Sequence, residues 1–315
     1  MRVVEPNEPK KLPKGGWAVM LLILVVLCLG IVGGILAPML SSGGQASRDP
    51  DITRVPSRTP GSSQAPIPDV TSAPHKVDAK LTTRLLFAHQ AIGKDIVRGI
   101  PLVYNSADIP APKMLAWDRA KKTKGPLVAT AIVGRNGDAL GKLRAFARLV
   151  NDAPRRNIHV ALLALDSQDV NAETDIDDLF QSYTDTMNSL EAASPDISFL
   201  YATVPLTTAN SWLEIERSKI TGLSNVNQPV WQDNIARERL NTLVRDRYSE
   251  TGRLFDIAAL QADTGGNKVA AKQHEDLWYY VMNPAQSSDG KRLNGSGSQH
   301  LAQSLILLVN AASRA

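Results

Sequence analysis

The chain has 315 residues, 43% of them hydrophobic and 21% charged, which is enough apolar material for one or two packed domains. Its net charge of +4 is spread thinly: residues 1–14 carry four bases against two acids and residues 41–80 five against four, leaving about +1 for residues 81–315. A nearly neutral folded part lacks the electrostatic footprint of a nucleic-acid binder, so no nucleic-acid partner is expected.

Residues 1–16 read as a short cytoplasmic tail. The stretch "WAVMLLILVVLCLGIVGGILAPML", Trp17 to Leu40, has no charge over 24 residues. A helix of that length crosses the roughly 30 Å hydrocarbon core of a bilayer. A cleavable signal has an apolar region of only about 7–15 residues, so the spacing predicts a retained anchor. Four Lys or Arg precede the span, and only Arg48 and Arg54 closely follow it. The N-terminus is therefore expected in the cytoplasm and the large C-terminal part outside the inner or plasma membrane, in the periplasm of a Gram-negative cell. The single cysteine, Cys28, lies inside the span, and no disulfide can form within one chain. Residues 41–80 are rich in Ser, Pro, Gly and Thr, with Pro50, Pro56, Pro60, Pro66, Pro68 and Pro74 spread along them. They read as a semi-extended linker, with peptidoglycan binding as the alternative.

From Leu81 the pattern changes. Apolar runs of strand length stand at Arg84–His89, Leu127–Val133, Ile158–Asp166, Ile197–Val204 and Leu254–Ile257. Helix-period segments lie at Asp138–Asn151, Asp175–Ala193, Gln232–Glu250 and Ser296–Ala311. Continuous apolar strands separated by helices predict an α/β domain over 81–315, with three layers (α/β/α) and a mostly parallel sheet of about five strands. Ligands of such sheets bind at the carboxyl ends of the strands. That rule directs attention to His89–Gly93, Gly134–Asp138, Asp166–Asp169, Thr203–Thr207 and the loop "SSDGKRLNGSGSQH".

The segment "FAHQAIGKDIVRGI" resembles the opening block of the SGNH, or GDSL-like, hydrolase family, which has the form His-x-Ser-x-Gly before an apolar helix. "VGRNGDALGKL" is similar to the Gly- and Asn-bearing loop of that family. "ATVPLTT", "NIARERLNTLVRDRYSETGRLFDIAAL" and "DGKRLNGSGSQHLAQSL" resemble later blocks. The resemblance implies a flavodoxin-like fold and a serine esterase or acyltransferase site. In that site a serine attacks the acyl carbonyl and a histidine held by an aspartate takes the proton. The position matching the serine is Ala91, and the position matching the histidine is Arg292; Asp289 is retained. Alanine has no hydroxyl, and a guanidinium is no base near neutrality. Gly134 and Asn136 resemble the oxyanion-binding pair; a tight turn with Asp138 capping the next helix is the alternative. His89 ends a strand and could lean into the same pocket, with a packing histidine as the alternative, and Asp166 ends another strand there. Arg292 is expected to pair with Asp289, or else to bind a carboxylate or phosphate.

Other features carry less chemistry. Ser296 and His300 are spaced i, i+4 without a third group. "ETDIDD" at 173–178 lacks the spacing of a calcium loop, and its acids suit a helix start. HExxH, paired CxxC and Walker patterns are absent from the sequence, so no metal and no cofactor is expected. The aromatics of "KQHEDLWYYVM" could rim a sugar cleft or simply pack. Together these features predict a membrane-anchored envelope component that binds an acylated glycan or a protein partner without catalysis; the alternative is a working esterase or O-acyltransferase of the same fold.

Overall fold

The computed structural model describes residues 80–120, 123–209, 230–275 and 277–313. The expected tail (1–16), transmembrane helix (17–40) and linker (41–80, Lys80 excepted) lie outside the described residues. Among the described residues, no helix is long and apolar enough to cross a membrane.

The first strand, β1 (Arg84–His89), is buried along its whole length, as a central strand of a parallel sheet must be. Helix α1 (Ala91–Ser106) follows at once. Then come β2 (Lys113–Ala116), α2 (Trp117–Ala120), β3 (Leu127–Ile132), α3 (Ala139–Asp152) and β4 (Val160–Leu163). The second half holds α4 (Ile176–Ala193), β5 (Ser198–Ala202), α5 (Val230–Tyr248), β6 (Leu254–Phe255) and α6 (Ile257–Ala262). Two short antiparallel pairs, β7 (Asp263–Gly265) with β8 (Lys268–Val269) and β9 (Ala271–His274) with β10 (Leu277–Tyr280), precede the last helix, α7 (Gly295–Ala312).

Strands β1 to β6 form one sheet in the order β2-β3-β1-β4-β5-β6, and every neighbouring pair is parallel. Alternate residues of the strands feed two separate cores. Leu85, Phe87 and Leu162 pack with Ile92, Ile96 and Ile100 of α1 and with Leu301 and Leu305 of α7. Leu86, Ala88, Leu163 and Phe199 pack on the other face with Phe146 of α3, Met187 of α4 and Leu240 of α5. This is the expected three-layer arrangement. Each fully buried Leu or Phe side chain contributes about 1.5–3 kcal/mol.

The sheet has six strands where about five were expected. The added edge strand, "KMLA" at Lys113–Ala116, is half-exposed and carries no β-branched residue, so neither periodicity nor composition marks it. The expected strand Leu254–Ile257 ends at Phe255, because Asp256 accepts a hydrogen bond from Ala259 N (3.0 Å) and starts α6. The run Ile158–Asp166 pairs only over Val160–Leu163, although Ala164, Leu165 and Asp166 are buried beyond it.

Apart from the edge strand, the order β3-β1-β4-β5-β6 has its topological switch at β1. The chain passes from β1 to β3 on one side and then crosses to β4 on the other. A crevice must open there, outside the carboxyl ends of β1, β3 and β4.

Candidate functional site

Three loops meet at this crevice, those that follow β1, β3 and β4. The first is the corner after β1, where Gln90 leads into Ala91, the first residue of α1. Gln90 makes no side-chain cap for its helix; its Nε2 instead donates to Val133 O (2.9 Å) and Gly134 O (2.6 Å), tying the corner to the loop after β3. The missing cap comes from the loop after β4. Asp166 accepts from Ala91 N at 3.2 Å and from Ile92 N at 2.8 Å, so a carboxylate already sits on the helix N-terminus.

Asp166 is itself held from below. Lys142 of α3, with no exposed surface, donates to Asp166 Oδ2 (3.1 Å) and to Asp169 Oδ2 (2.5 Å). Asp169 also accepts from Asp166 N (2.7 Å) and Gly137 N (2.9 Å). Burial pushes the Asp169 carboxyl up, and the Asp166 N–H and the Lys142 ammonium counter that shift. Gly134 has φ +60°, and a Cβ there would stand 2.7 Å from Lys142 Cγ, so both its backbone and the lysine stem require glycine. Arg237 of α5 closes the loop from the side, giving Nε to Ser167 O (2.8 Å) and Val170 O (3.1 Å).

A further segment, just before α7, brings Arg292. Its guanidinium does not take the expected partner, Asp289. It grips Asp95 of α1, Nε to Oδ2 at 2.6 Å and Nη2 to Oδ1 at 2.7 Å. Asp95 is fully buried and needs counter-charge, whereas Asp289 is satisfied within its own loop by Lys291 N (2.9 Å) and Arg292 N (2.7 Å). Those backbone N–H groups hold the Asp289 carboxyl below its ordinary range. The Asp95 hydrogen bonds raise the Arg292 guanidinium above its ordinary value, which makes proton uptake from a hydroxyl still less accessible.

Ala91, Asn136, Asp166 and Arg292 therefore line one small cleft of about 30 Å³, together with Ile92, Ser167, Gln168, Pro205 and Lys291. Gly134, His89 and Asp289 are not in its lining. His89 is buried against Phe87, with ring centroids 4.8 Å apart, and its Nδ1 donates to Gln90 O at 2.9 Å. Burial lowers its pKa, which favours the neutral ring. Asp166 accepts hydrogen bonds and cannot serve as an oxyanion donor; it occupies the N–H group of Ala91 that would otherwise point at one.

The blocks that begin at Phe87 and Val133 thus fall at the strand ends and loops of a doubly wound sheet, whereas the block at 234–260 is mostly α5, β6 and α6. The fold is a doubly wound, three-layer α/β/α arrangement. No protein-family model and no curated protein matches the sequence. Among solved structures it is similar to the periplasmic domain of a Salmonella ser. Paratyphi A lipopolysaccharide acetyltransferase, at 12% identity and TM-score 0.41, covering 72% of this chain and 84% of that one. It is also similar to a carbohydrate esterase family 3 protein from Talaromyces cellulolyticus, at 15% identity and TM-score 0.39, covering 73% and 99%. A third is a mutant acetyl esterase with acetate ion, at 13% identity and TM-score 0.38, also covering 73% and 99%. What the cleft can do follows from its own atoms.

A larger depression of about 460 Å³ lies at the opposite ends of the strands, lined by Thr82, Thr83, His159, Asp196 and Ser198. Among the described residues, its Thr83 Oγ1···His159 Nδ1 contact of 3.3 Å is the one hydroxyl–imidazole pair. It sits where β1 and β4 begin, away from the switch point, and among the described residues no carboxylate is hydrogen-bonded to that ring. Ser296, paired with His300 by spacing alone, gives its hydroxyl to Asn294 Oδ1 (2.9 Å). The acids at 173–178 serve α4, with Asp175 accepting from Asp178 N (3.0 Å), and the described residues hold no cluster of three metal-ligating side chains.

Sequence reasoning missed Asp95 and Lys142, and reached Asp169 only as the end of a loop, with no role assigned. A signal existed for the first two. Asp95 and Lys142 lie on the apolar faces of their helices, beside Ile92 and Ile96 in α1 and beside Ala139, Leu143 and Phe146 in α3. A charge on a buried stripe must have a partner.

Proposed function

We propose that the protein is a membrane-anchored envelope component whose extracytoplasmic SGNH-like domain binds and does not transfer acyl groups. The anchor rests on the uncharged stretch 17–40, and the orientation on the bases that precede it. The ligand class proposed is an acylated glycan or an envelope protein. The observation that carries this reading is the pairing of Asp95 with Arg292 above a cleft whose nucleophile position is Ala91.

Acyl transfer needs an oxygen or sulfur lone pair to attack, a base to take its proton and donors for the oxyanion. Ala91 supplies no attacking atom. Arg292 is charged and committed to Asp95, and Ala91 N is engaged by Asp166. In a serine protease the loss of nucleophile or base alone lowers kcat on the order of 10⁶-fold. Restoring one part leaves the others missing. Purified protein is expected to show no turnover of p-nitrophenyl acetate above buffer, and Ala91→Ser to remain equally inactive. Hydrolysis that co-purifies with the protein and disappears on mutation of the cleft would favour a working esterase or O-acyltransferase instead.

A further inference from the structure

Asp95 organises more than Arg292. Its Oδ1 accepts from Arg98 Nη2 (2.6 Å) as well as from Arg292 Nη2 (2.7 Å), and its Oδ2 accepts from Arg292 Nε (2.6 Å) and Leu293 N (3.2 Å). Two guanidiniums thus meet on one oxygen of a carboxylate that has no exposed surface. Both keep an outward edge. The Arg98 side chain is 61% exposed and that of Arg292 38%. Among the described residues nothing accepts from Arg292 Nη1 or from Arg98 Nε and Nη1. Arg98, Arg292 and Lys291 set three cations against the carboxylates of Asp95 and Asp289, the latter close enough to act on Arg292, which leaves a local net charge of +1.

Such a pair is prepared for an oxyanion. The buried acid fixes the planar forks before any ligand arrives, so little side-chain freedom is left to lose on binding. The cleft floor next to them has the opposite character. It is formed by the Asp166 carboxylate and the polar groups of Asn136, Ser167 and Gln168, which suit hydroxyl groups. Lys142 is shared between Asp166 and Asp169, so the floor keeps an excess negative charge and repels a polyanion.

The geometry points to a sugar acid as the ligand: one carboxylate on Arg98 and Arg292, with its hydroxyls turned to the cleft. A cleft of about 30 Å³ admits a hydroxyl and no ring, so the sugar lies across the mouth. This deepens the glycan-binding reading and rests on it, but it is tested without any ester.

The probes are D-glucuronate, D-glucose as its neutral counterpart and inorganic phosphate, titrated into the full-length protein in detergent and followed by calorimetry. Glucuronate is expected to bind saturably, glucose at least about tenfold more weakly, and phosphate not to compete. Arg98→Ala, at an exposed site where loss of fold is not expected, should weaken glucuronate by about tenfold or more, and Lys291→Ala should weaken it less. Arg292→Lys, which keeps a charge for Asp95 and removes the fork, should weaken it as much as Arg98→Ala. Equal binding of glucose and glucuronate, or unchanged affinity in both Arg98→Ala and Arg292→Lys, overturns the proposal. Tighter binding of phosphate than of glucuronate overturns the carboxylate assignment. None of these results restores an acyl-transfer site, so they leave the non-catalytic reading to its own test.

Discussion

Lys142 shows how much of the cleft depends on one side chain that no surface inspection would find. Its ammonium is the sole cation hydrogen-bonded to both Asp166 and Asp169 among the described residues. Lys142→Met keeps the apolar stem and strands two buried carboxylates. Breaking a buried ionic cluster in this way costs about 3–5 kcal/mol, and urea denaturation should show a loss of that size; a loss below about 1 kcal/mol would contradict the structure. His89 gives a pH signature. Its folded pKa lies below the ordinary 6.5 because of burial, against the Gln90 carbonyl and the Asp166 charge, which raise it, while Lys94 adds to the lowering. A depressed histidine contributes stability that is present above about 6.5 and lost as pH falls through the folded pKa. The denaturation midpoint should therefore fall between about pH 7.5 and about pH 5.5 more in the wild type than in His89→Gln; equal falls would contradict a neutral buried ring. Several of these roles were legible in sequence. Ala91 and Arg292 stand at the positions the sequence singled out, both in the cleft lining, and Asp138 was readable as a cap, as its 2.7 Å bond from Gly141 N shows. The partner of Arg292 was not, because Asp95 lies 197 positions away and only the packing of α7 on α1 brings the two segments together.

The helices and strands that place the cleft were largely visible as patterns. β1, β3, β4 and β5 each coincide with an apolar run, since a strand covered on both faces must be apolar throughout. β2 was invisible for the opposite reason, being a short edge with exposed Lys113 and Ala116. The boundary between β6 and α6 was decided by one side-chain bond, from Ala259 N to Asp256, which no periodicity encodes. The contact between α1 and α7 carries the Asp95–Arg292 link, and Gly99 sits in it. A Cβ at Gly99 would lie 2.0 Å from Ser298 O, a backbone atom that cannot swing aside. Helix propensity favours alanine over glycine by up to about 1 kcal/mol. Forcing the two helices apart costs about 1–3 kcal/mol or more and should win. Gly99→Ala is thus expected to lower the Tm and, by shifting the loop before α7, to loosen the Asp95–Arg292 pair. A raised Tm would mean that the two helices do not pack closely at this point.

At the scale of the whole molecule, the switch point of a parallel sheet fixes where a site can be, and the residues there decide what it does. In this domain the crevice is lined by Ala91, Asn136, Asp166 and Arg292, with Arg292 engaged by Asp95 and Ala91 N by Asp166. The near-neutral charge of residues 81–315 offers no long-range steering, so recognition must come from the cleft and its arginine rim. Covalent labelling reports most directly on whether any activated nucleophile survives, because it needs no knowledge of the natural ligand. After incubation of the full-length protein with a fluorophosphonate, intact-mass spectrometry should find the unmodified mass alone. A stoichiometric adduct on a cleft residue such as Ser167, lost when that residue is mutated, would show that the site still performs nucleophilic chemistry.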